Sequence, residues 1–252
     1  MNYKVTVIGA GRMGSALATA LFHKGFTTTV WNRNVAKTEA LSKLGLRVPH
    51  SVDESVREAD IVVVCVSDYG TTRHLLREPI IESALRGKIL VQLSSGTPKE
   101  AREMDSWARR CGISYLDGAI LGSPVGIGTP ACTIFYSGPA ELFNRAQQVL
   151  LAFGDRTVFV GNEIGHAAAF DVAVLTFGVS AMLGFLQGQV VWENENLPAG
   201  GFLETIKGMM PVMQSIFTDM SRFARSLFCG HQAACKLVPG LRFGPHHSRC
   251  AS

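Results

Sequence analysis

Gly9-Ala10-Gly11-Arg12-Met13-Gly14 stands between a short apolar run, residues 5–8, and a helical pattern, and few folds accept that order. The spacing is G-x-G-x-x-G, placed after a strand and at the opening of a helix. In that setting each glycine has a separate task. Gly9 allows a tight turn, Gly11 lets the backbone approach a pyrophosphate, and Gly14 lets helix and strand pack closely. The helix N-terminus then offers N–H groups that no intrahelical carbonyl satisfies, and these suit phosphate oxygens. The segment therefore predicts the phosphate-binding turn of a dinucleotide-binding βαβ unit, with Ala10, Arg12 and Met13 carried in the same turn.

The residues that follow keep to this plan. Met13, Ala16, Leu17, Ala20 and Leu21 recur at helical spacing, and Gly25 suits the helix end. Apolar runs at 28–31, 61–66 and 89–93 predict strands, the second of them buried on both faces. Shorter strands are expected at 114–116, 133–136 and 158–160, and helices at 34–44 and 140–153. Ser51 with Glu54, and Thr97-Pro98-Lys99-Glu100, have the spacing of helix N-caps. Alternating strands and helices predict an α/β fold, a Rossmann doubly wound parallel sheet over residues 1–160.

The second strand ends in Trp31-Asn32-Arg33-Asn34, with Lys37 one turn later. A site for NAD usually places an acid here to accept from the ribose 2′-hydroxyl. An acid would repel a 2′-phosphate, whereas the Arg33 guanidinium can clasp one with a fork of donors. Asn32, Arg33 and Lys37 therefore point to NADP(H).

Beyond residue 160 the pattern changes. Residues 172–192 carry no formal charge, which is enough length to span a bilayer. Gly178, Gly184, Gly188, Ser180, Gln187 and Gln189 interrupt that run, and no lysine or arginine cluster flanks it. A long buried interdomain helix is the expectation, partly covered by a second copy of the chain in a homodimer. Residues 161–225 then form a long interdomain helix and a truncated all-α C-terminal region, and residues 226–252 an irregular tail. The net charge of +4 comes from this end: residues 222–252 carry five basic residues and no acid, against 19 basic and 20 acidic elsewhere. A short basic tail is not the basic face that nucleic-acid binding requires. Cys229, Cys235, His246, His247 and Cys250 lack the paired spacing of a structural zinc site, so no metal is expected. No leader-like segment precedes the first strand, and the cysteines show no disulfide framework, so a cytoplasmic protein is expected.

Residues 9–14, Cys65-Val66-Ser67-Asp68 and Ser94-Ser95-Gly96-Thr97-Pro98 together resemble the cofactor domain of the 6-phosphogluconate and β-hydroxyacid dehydrogenase superfamily. The resemblance implies cofactor contacts from Cys65, Val66, Ser67 and Ser95. Leu116 to Ser123 stands where that superfamily carries its substrate motif, but ends Leu121-Gly122-Ser123 without the usual serine and paired glycines. Where the dehydrogenases carry a catalytic lysine followed by asparagines, alignment on Gly165 gives Asp171, Val174 and Leu175. These replacements resemble the imine reductase branch, which implies Asp171 as the catalytic acid or electrostatic stabiliser and Leu121, Ser123 and Tyr136 as substrate-pocket residues. Chemistry agrees: hydride attacks a protonated imine best, and a carboxylate favours that cation. The expected function is an NADPH-dependent oxidoreductase acting on a small-molecule imine. A carbonyl reductase of the β-hydroxyacid type and a non-catalytic NADP-binding sensor are the alternatives.

Overall fold

The computed structural model describes residues 3–228, in two compact units that divide between Val174 and Leu175. The first unit is a seven-stranded sheet flanked by helices. Its strands are β1 (Lys4–Ile8), β2 (Thr27–Trp31), β3 (Ile61–Val64), β4 (Ile89–Gln92), β5 (Ser114–Leu121), β6 (Thr133–Ser137) and β7 (Arg156–Phe159), in the order β2-β1-β3-β4-β5-β6-β7. The chain runs from β1 outward to β2, then crosses back over β1 to β3. The strand order therefore reverses between β1 and β3, where open α/β sheets place ligands beyond the carboxyl ends of their strands.

Sequence explains most of these elements. β3 and β4 are buried at every residue, as strands covered by helices on both faces must be. The first helix, α1 (Arg12–His23), buries Gly14, Leu17, Ala18 and Leu21 on one face. It turns back into β2 through Gly25, whose φ of +82° favours glycine. Then come α2 (Glu39–Lys43), preceded by a 3-10 turn at Val35–Thr38, and α3 (Val52–Arg57), capped by Ser51 accepting from the Glu54 N–H. Two helices between β3 and β4 were not expected from the sequence: α4 (Tyr69–Leu76) and α5 (Pro79–Leu85). α6 (Pro98–Cys111) carries the complete Thr97–Glu100 capping box, and α7 (Ala140–Leu150) packs beneath β5.

The expected all-parallel sheet is modified at one place. β6 runs antiparallel to β5, with Asp117 opposite Ser137 and Leu121 opposite Thr133. Eleven residues join the two strands, and they hold only a 3-10 turn, Pro124–Gly126. That is too short for the helical crossover that parallel neighbours need.

The last long helices are α8 (His166–Asn194) and α9 (Gly201–Phe228). α8 is long and apolar enough to cross a membrane by length and composition. In the second unit, Phe177 meets Phe217 edge-on at 5.4 Å, and Phe202 lies against Phe185 and Trp192. Met182, Leu183, Met220 and Phe223 are each more than 60% exposed. α9 continues three residues beyond residue 225, and the rest of the expected irregular tail, with its cysteine and histidine groups, lies outside the described residues.

Candidate functional site

The turn after β1 is held from several sides. The Gly9 N–H donates to the Trp31 carbonyl at 2.8 Å, and the Ala10 N–H to Asn32 Oδ1 at 3.0 Å. Asn32 Nδ2 donates in turn to the Asn34 carbonyl at 2.9 Å, so this side chain ties the ends of β1 and β2 together. Gly9 has φ +109°, and a Cβ there would stand 2.2 Å from the Cys65 carbonyl oxygen. A Cβ on Gly14 would stand 1.9 Å from the Gly9 carbonyl oxygen. At Gly11 a Cβ would meet nothing within 4 Å. The first and third glycines are thus required by packing, and the second keeps a space clear.

That space is a cavity of about 390 Å³ over the switch point. Gly9, Gly11, Arg12, Met13 and Gly14 form one wall, and Asn32, Arg33 and Lys37 another. Cys65, Val66 and Ser67 close the side beneath β3, and Trp31, Asn34, Thr71 and Leu75 complete it. Its lining holds three cationic side chains and no acid. Gly11 is the N-cap of α1 and no side chain caps the helix, so its first N–H groups face this space. A cleared backbone, free helix N–H groups and exposed cations fit the diphosphate and 2′-phosphate of NADP(H).

A second cavity of about 180 Å³ shares Met13, Cys65 and Val66 with the first. Leu93, Ser94 and Ser95 after β4, Ala119 and Ile120 of β5, and Asp171 of α8 form the rest of it. Ser94 Oγ accepts from the Val66 N–H at 2.9 Å, which joins the loops after β3 and β4. Asp171 is the one charged residue among those lining it, and burial pushes its carboxyl above the ordinary value of 3.8. The Cys65 thiol is pushed up to about 11 by burial, so it is a neutral wall rather than a nucleophile.

The structure thus gathers most of the sequence-derived residues: Gly9, Gly11, Arg12, Met13, Gly14, Asn32, Arg33, Lys37, Cys65, Val66 and Ser67 line the larger cavity, and Ser95 and Asp171 the smaller. Ala10 supports the turn from beneath and is buried. The three expected substrate-pocket residues stand elsewhere. Leu121 is exposed at the end of β5, and Ser123 is exposed just after it, on neither cavity. Tyr136 is fully buried in the core beside Phe143 and Cys132, with no hydrogen-bond partner for its hydroxyl. The two-residue period of β6 accounts for this: Phe135, one residue earlier, faces the opposite side and stacks on Phe170 of α8 at 5.1 Å. Ala119 and Ile120 were missed, since nothing in an apolar strand marks which residues end at a cavity.

Asp117 was also missed. It sits inside β5 with no exposure, accepts from the Tyr69 phenol and the Ala168 N–H, and has its carboxyl raised to about 6 chiefly by burial. A lone acid within the apolar run Tyr115 to Leu121 was the available signal.

The comparisons with known proteins agree with this geometry. Residues 4–161 match the NAD binding domain of 6-phosphogluconate dehydrogenase, and residues 163–235 match the C-terminal domain of the NADPH-dependent reductive aminase-like family. The chain is 28% identical over 228 residues to the NADPH-dependent reductive aminase of Aspergillus oryzae, covering 90% of this chain and 75% of the relative. Among solved structures, the imine reductase from Myxococcus stipitatus in complex with NADP+ superposes with a TM-score of 0.84 at 45% identity, covering 88% of this chain and 78% of that one. The reductive aminase from Aspergillus terreus in complex with NADPH and ethyl levulinate gives a TM-score of 0.79 at 30% identity, covering 91% and 79%. A fold, a cofactor cavity and a carboxylate-bearing second cavity thus coincide with close likeness over most of the chain, and this protein belongs to the imine reductase and reductive aminase family of NAD(P)-dependent oxidoreductases.

Proposed function

We propose that this chain reduces the C=N bond of a small-molecule iminium with NADPH, and that Asp171 is the acidic group of the reaction. The carrying observation is the charge of the smaller cavity: one carboxyl, no cation, and otherwise small or apolar walls. A carboxylate there favours the protonated form of an imine, which is the form that accepts hydride. A lysine in its place would favour an alkoxide instead, so the lining speaks against a β-hydroxyacid. When bound, the nicotinamide cofactor supplies the hydride, and the imine carbon and nitrogen become an amine. Arg33 and Lys37 would hold the 2′-phosphate, and Gly11 with the first N–H groups of α1 would receive the diphosphate. Cys65, Val66 and Met13, common to both cavities, keep water from the meeting point of cofactor and substrate. Burial raises the Asp171 carboxyl above its ordinary value, which eases proton exchange with the substrate nitrogen.

The working form is a cytoplasmic homodimer that binds neither membrane nor nucleic acid. The exposed apolar rows of α8 and α9 support a covered state, and isologous pairing is the commonest way to cover such surface. Gln187 and Gln189 within α8 favour protein over lipid as the cover.

Turnover of an imine panel, followed by NADPH oxidation, tests the catalytic part. Asp171→Ala should lose about a hundredfold or more in kcat at nearly unchanged NADPH KM, the usual contribution of a general acid. Undiminished turnover would make Asp171 structural. Sedimentation tests the assembly: a soluble, active monomer, or a chain that stays with membranes, would overturn it.

A further inference from the structure

Asp117 is the only charged side chain in the core of the described residues, and its hydrogen-bond donors, Tyr69 of α4 and Ala168 of α8, belong to helices that line the cavities. α8 begins at His166, so the N–H groups of its first turn have no intrahelical partner. Asp117 Oδ2 accepts from the Ala168 N–H at 3.3 Å, and the nearby Gly165 N–H and Ser137 hydroxyl favour the charged form of the carboxyl. Ser137 Oγ, opposite Asp117 in the sheet, accepts from the Ala167 N–H at 3.1 Å. The first turn of α8 is therefore fastened to β5 and β6 by two buried side chains. Asp171 lies one turn further along the same helix.

The other oxygen of Asp117 accepts from Tyr69, the first residue of α4. Thr71 and Leu75 of α4 line the cofactor cavity. The Tyr69 ring also lies against Gly96, where a Cβ would stand 2.2 Å from it, in the loop that carries Ser95. Gly165 is closed in as well: a Cβ there would stand 2.9 Å from the Pro98 carbonyl oxygen. A helix start with no slack and a carboxyl held at both oxygens, by Tyr69 on one and Ala168 on the other, make a rigid mount.

We infer that Asp117, held by Tyr69 and Ser137, is a positioning residue that fixes the first turn of α8 and so aims the Asp171 carboxyl into the smaller cavity. The inference rests on the reading of Asp171 as the reacting acid. Asp117 lines neither cavity, and α8, which it fastens at Ala168, is the element that carries Asp171. Asparagine cannot replace it: the amide NH2 would face a donor on one side, leaving one oxygen for the remaining donors. Small errors of aim are costly in rate, about a hundredfold for a displacement near 1 Å.

The test uses the full chain with Tyr69→Phe, which keeps the ring and removes one donor, alongside Asp117→Asn and Asp171→Ala. Each variant is checked for cooperative unfolding, then assayed for kcat, NADPH KM and hydrogen exchange of the amides of Ala167 and Ala168. Tyr69→Phe should lower kcat about tenfold and Asp117→Asn about a hundredfold, with NADPH KM held within about twofold and faster exchange at both amides. In the Asp171→Ala background, Tyr69→Phe should cost nothing further, because the group being aimed is gone. If Tyr69→Phe keeps full turnover, or costs the same with and without Asp171, the positioning role is overturned while the role of Asp171 stands. If Asp171→Ala itself keeps full turnover, both fall. Should Asp117→Asn fail to fold, the Tyr69→Phe pair decides alone.

Discussion

Asn32→Asp places one negative charge at the end of β2 while keeping the brace that this residue makes. Its Oδ1 accepts from the Ala10 N–H at 3.0 Å, and a carboxylate oxygen accepts there equally well. The loss is on the other branch, where Nδ2 donates to the Asn34 carbonyl at 2.9 Å. Removing that bond forfeits about 1 kcal/mol of stability, which a chain of this size tolerates. The effect on ligands is larger and selective. Two unit charges at an effective dielectric constant near 20 interact with about 4 kcal/mol at 4 Å and about half that at 8 Å. Asn32 is only half-buried, so solvent screens part of this, and about 2 kcal/mol is a fair figure for the added repulsion of a 2′-phosphate. NADPH affinity should therefore fall about thirtyfold. NADH carries a 2′-hydroxyl that can donate to the new carboxylate, so its affinity should hold or rise. Steady-state KM values for both cofactors with one imine, and direct titrations of both, read the outcome. If the two cofactors weaken by the same factor, the 2′-phosphate does not lie at the end of β2, and the assignment of Asn32, Arg33 and Lys37 fails.

Arg33→Ala should raise the NADPH KM about tenfold to a hundredfold and leave NADH within about twofold, the loss of one charge-assisted contact; equal losses would speak against it. Gly11→Ala should melt within a few degrees of the parent yet lose NADPH binding, because its Cβ enters open space, whereas Gly14→Ala, 1.9 Å from the Gly9 carbonyl oxygen, should lose stability by about 3 kcal/mol or more; thermal melts with and without NADPH separate the two. Asp117, raised from 3.8 to about 6, holds its proton more tightly folded than unfolded, so its contribution is greatest below about pH 4 and falls as pH rises through 6, by about 3 kcal/mol in all. Urea melts of the parent and of Asp117→Asn across that window should converge in slope at its ends and differ within it, and parallel curves throughout would contradict the shift.

Local pattern and tertiary consequence were not equally visible in the sequence. The turn at residues 9–14 was legible because its glycines answer to backbone geometry, which the spacing alone encodes. The strands β3 and β4 were legible because burial on both faces demands unbroken apolar runs. α4 was hidden by Tyr69-Gly70-Thr71-Thr72, a poor helix former; its signal was Asp68, which accepts from the Thr71 N–H as an N-cap. The direction of β6 depended on the length of its connection, not on its composition. Tyr136 and Phe135 are both aromatic in one strand, and only the register against β5 decides which one faces α8. Asp171 came through because it replaces a residue of opposite charge in a resembling family, whereas Asp117 works through backbone donors from residues some fifty positions away, which no local window contains.

Met13, Cys65 and Val66 form the partition between the two cavities, one face of it turned to each. A partition this thin couples what lies on its two sides. Enlarging Cys65 or Val66 to change the choice of imine also moves the floor under the cofactor, so specificity and cofactor affinity change together. Leu93, Ala119 and Ile120 border the smaller cavity alone. Substrate scope is therefore separable from cofactor binding along the edge of β5 and at the end of β4, and inseparable from it at the loop after β3.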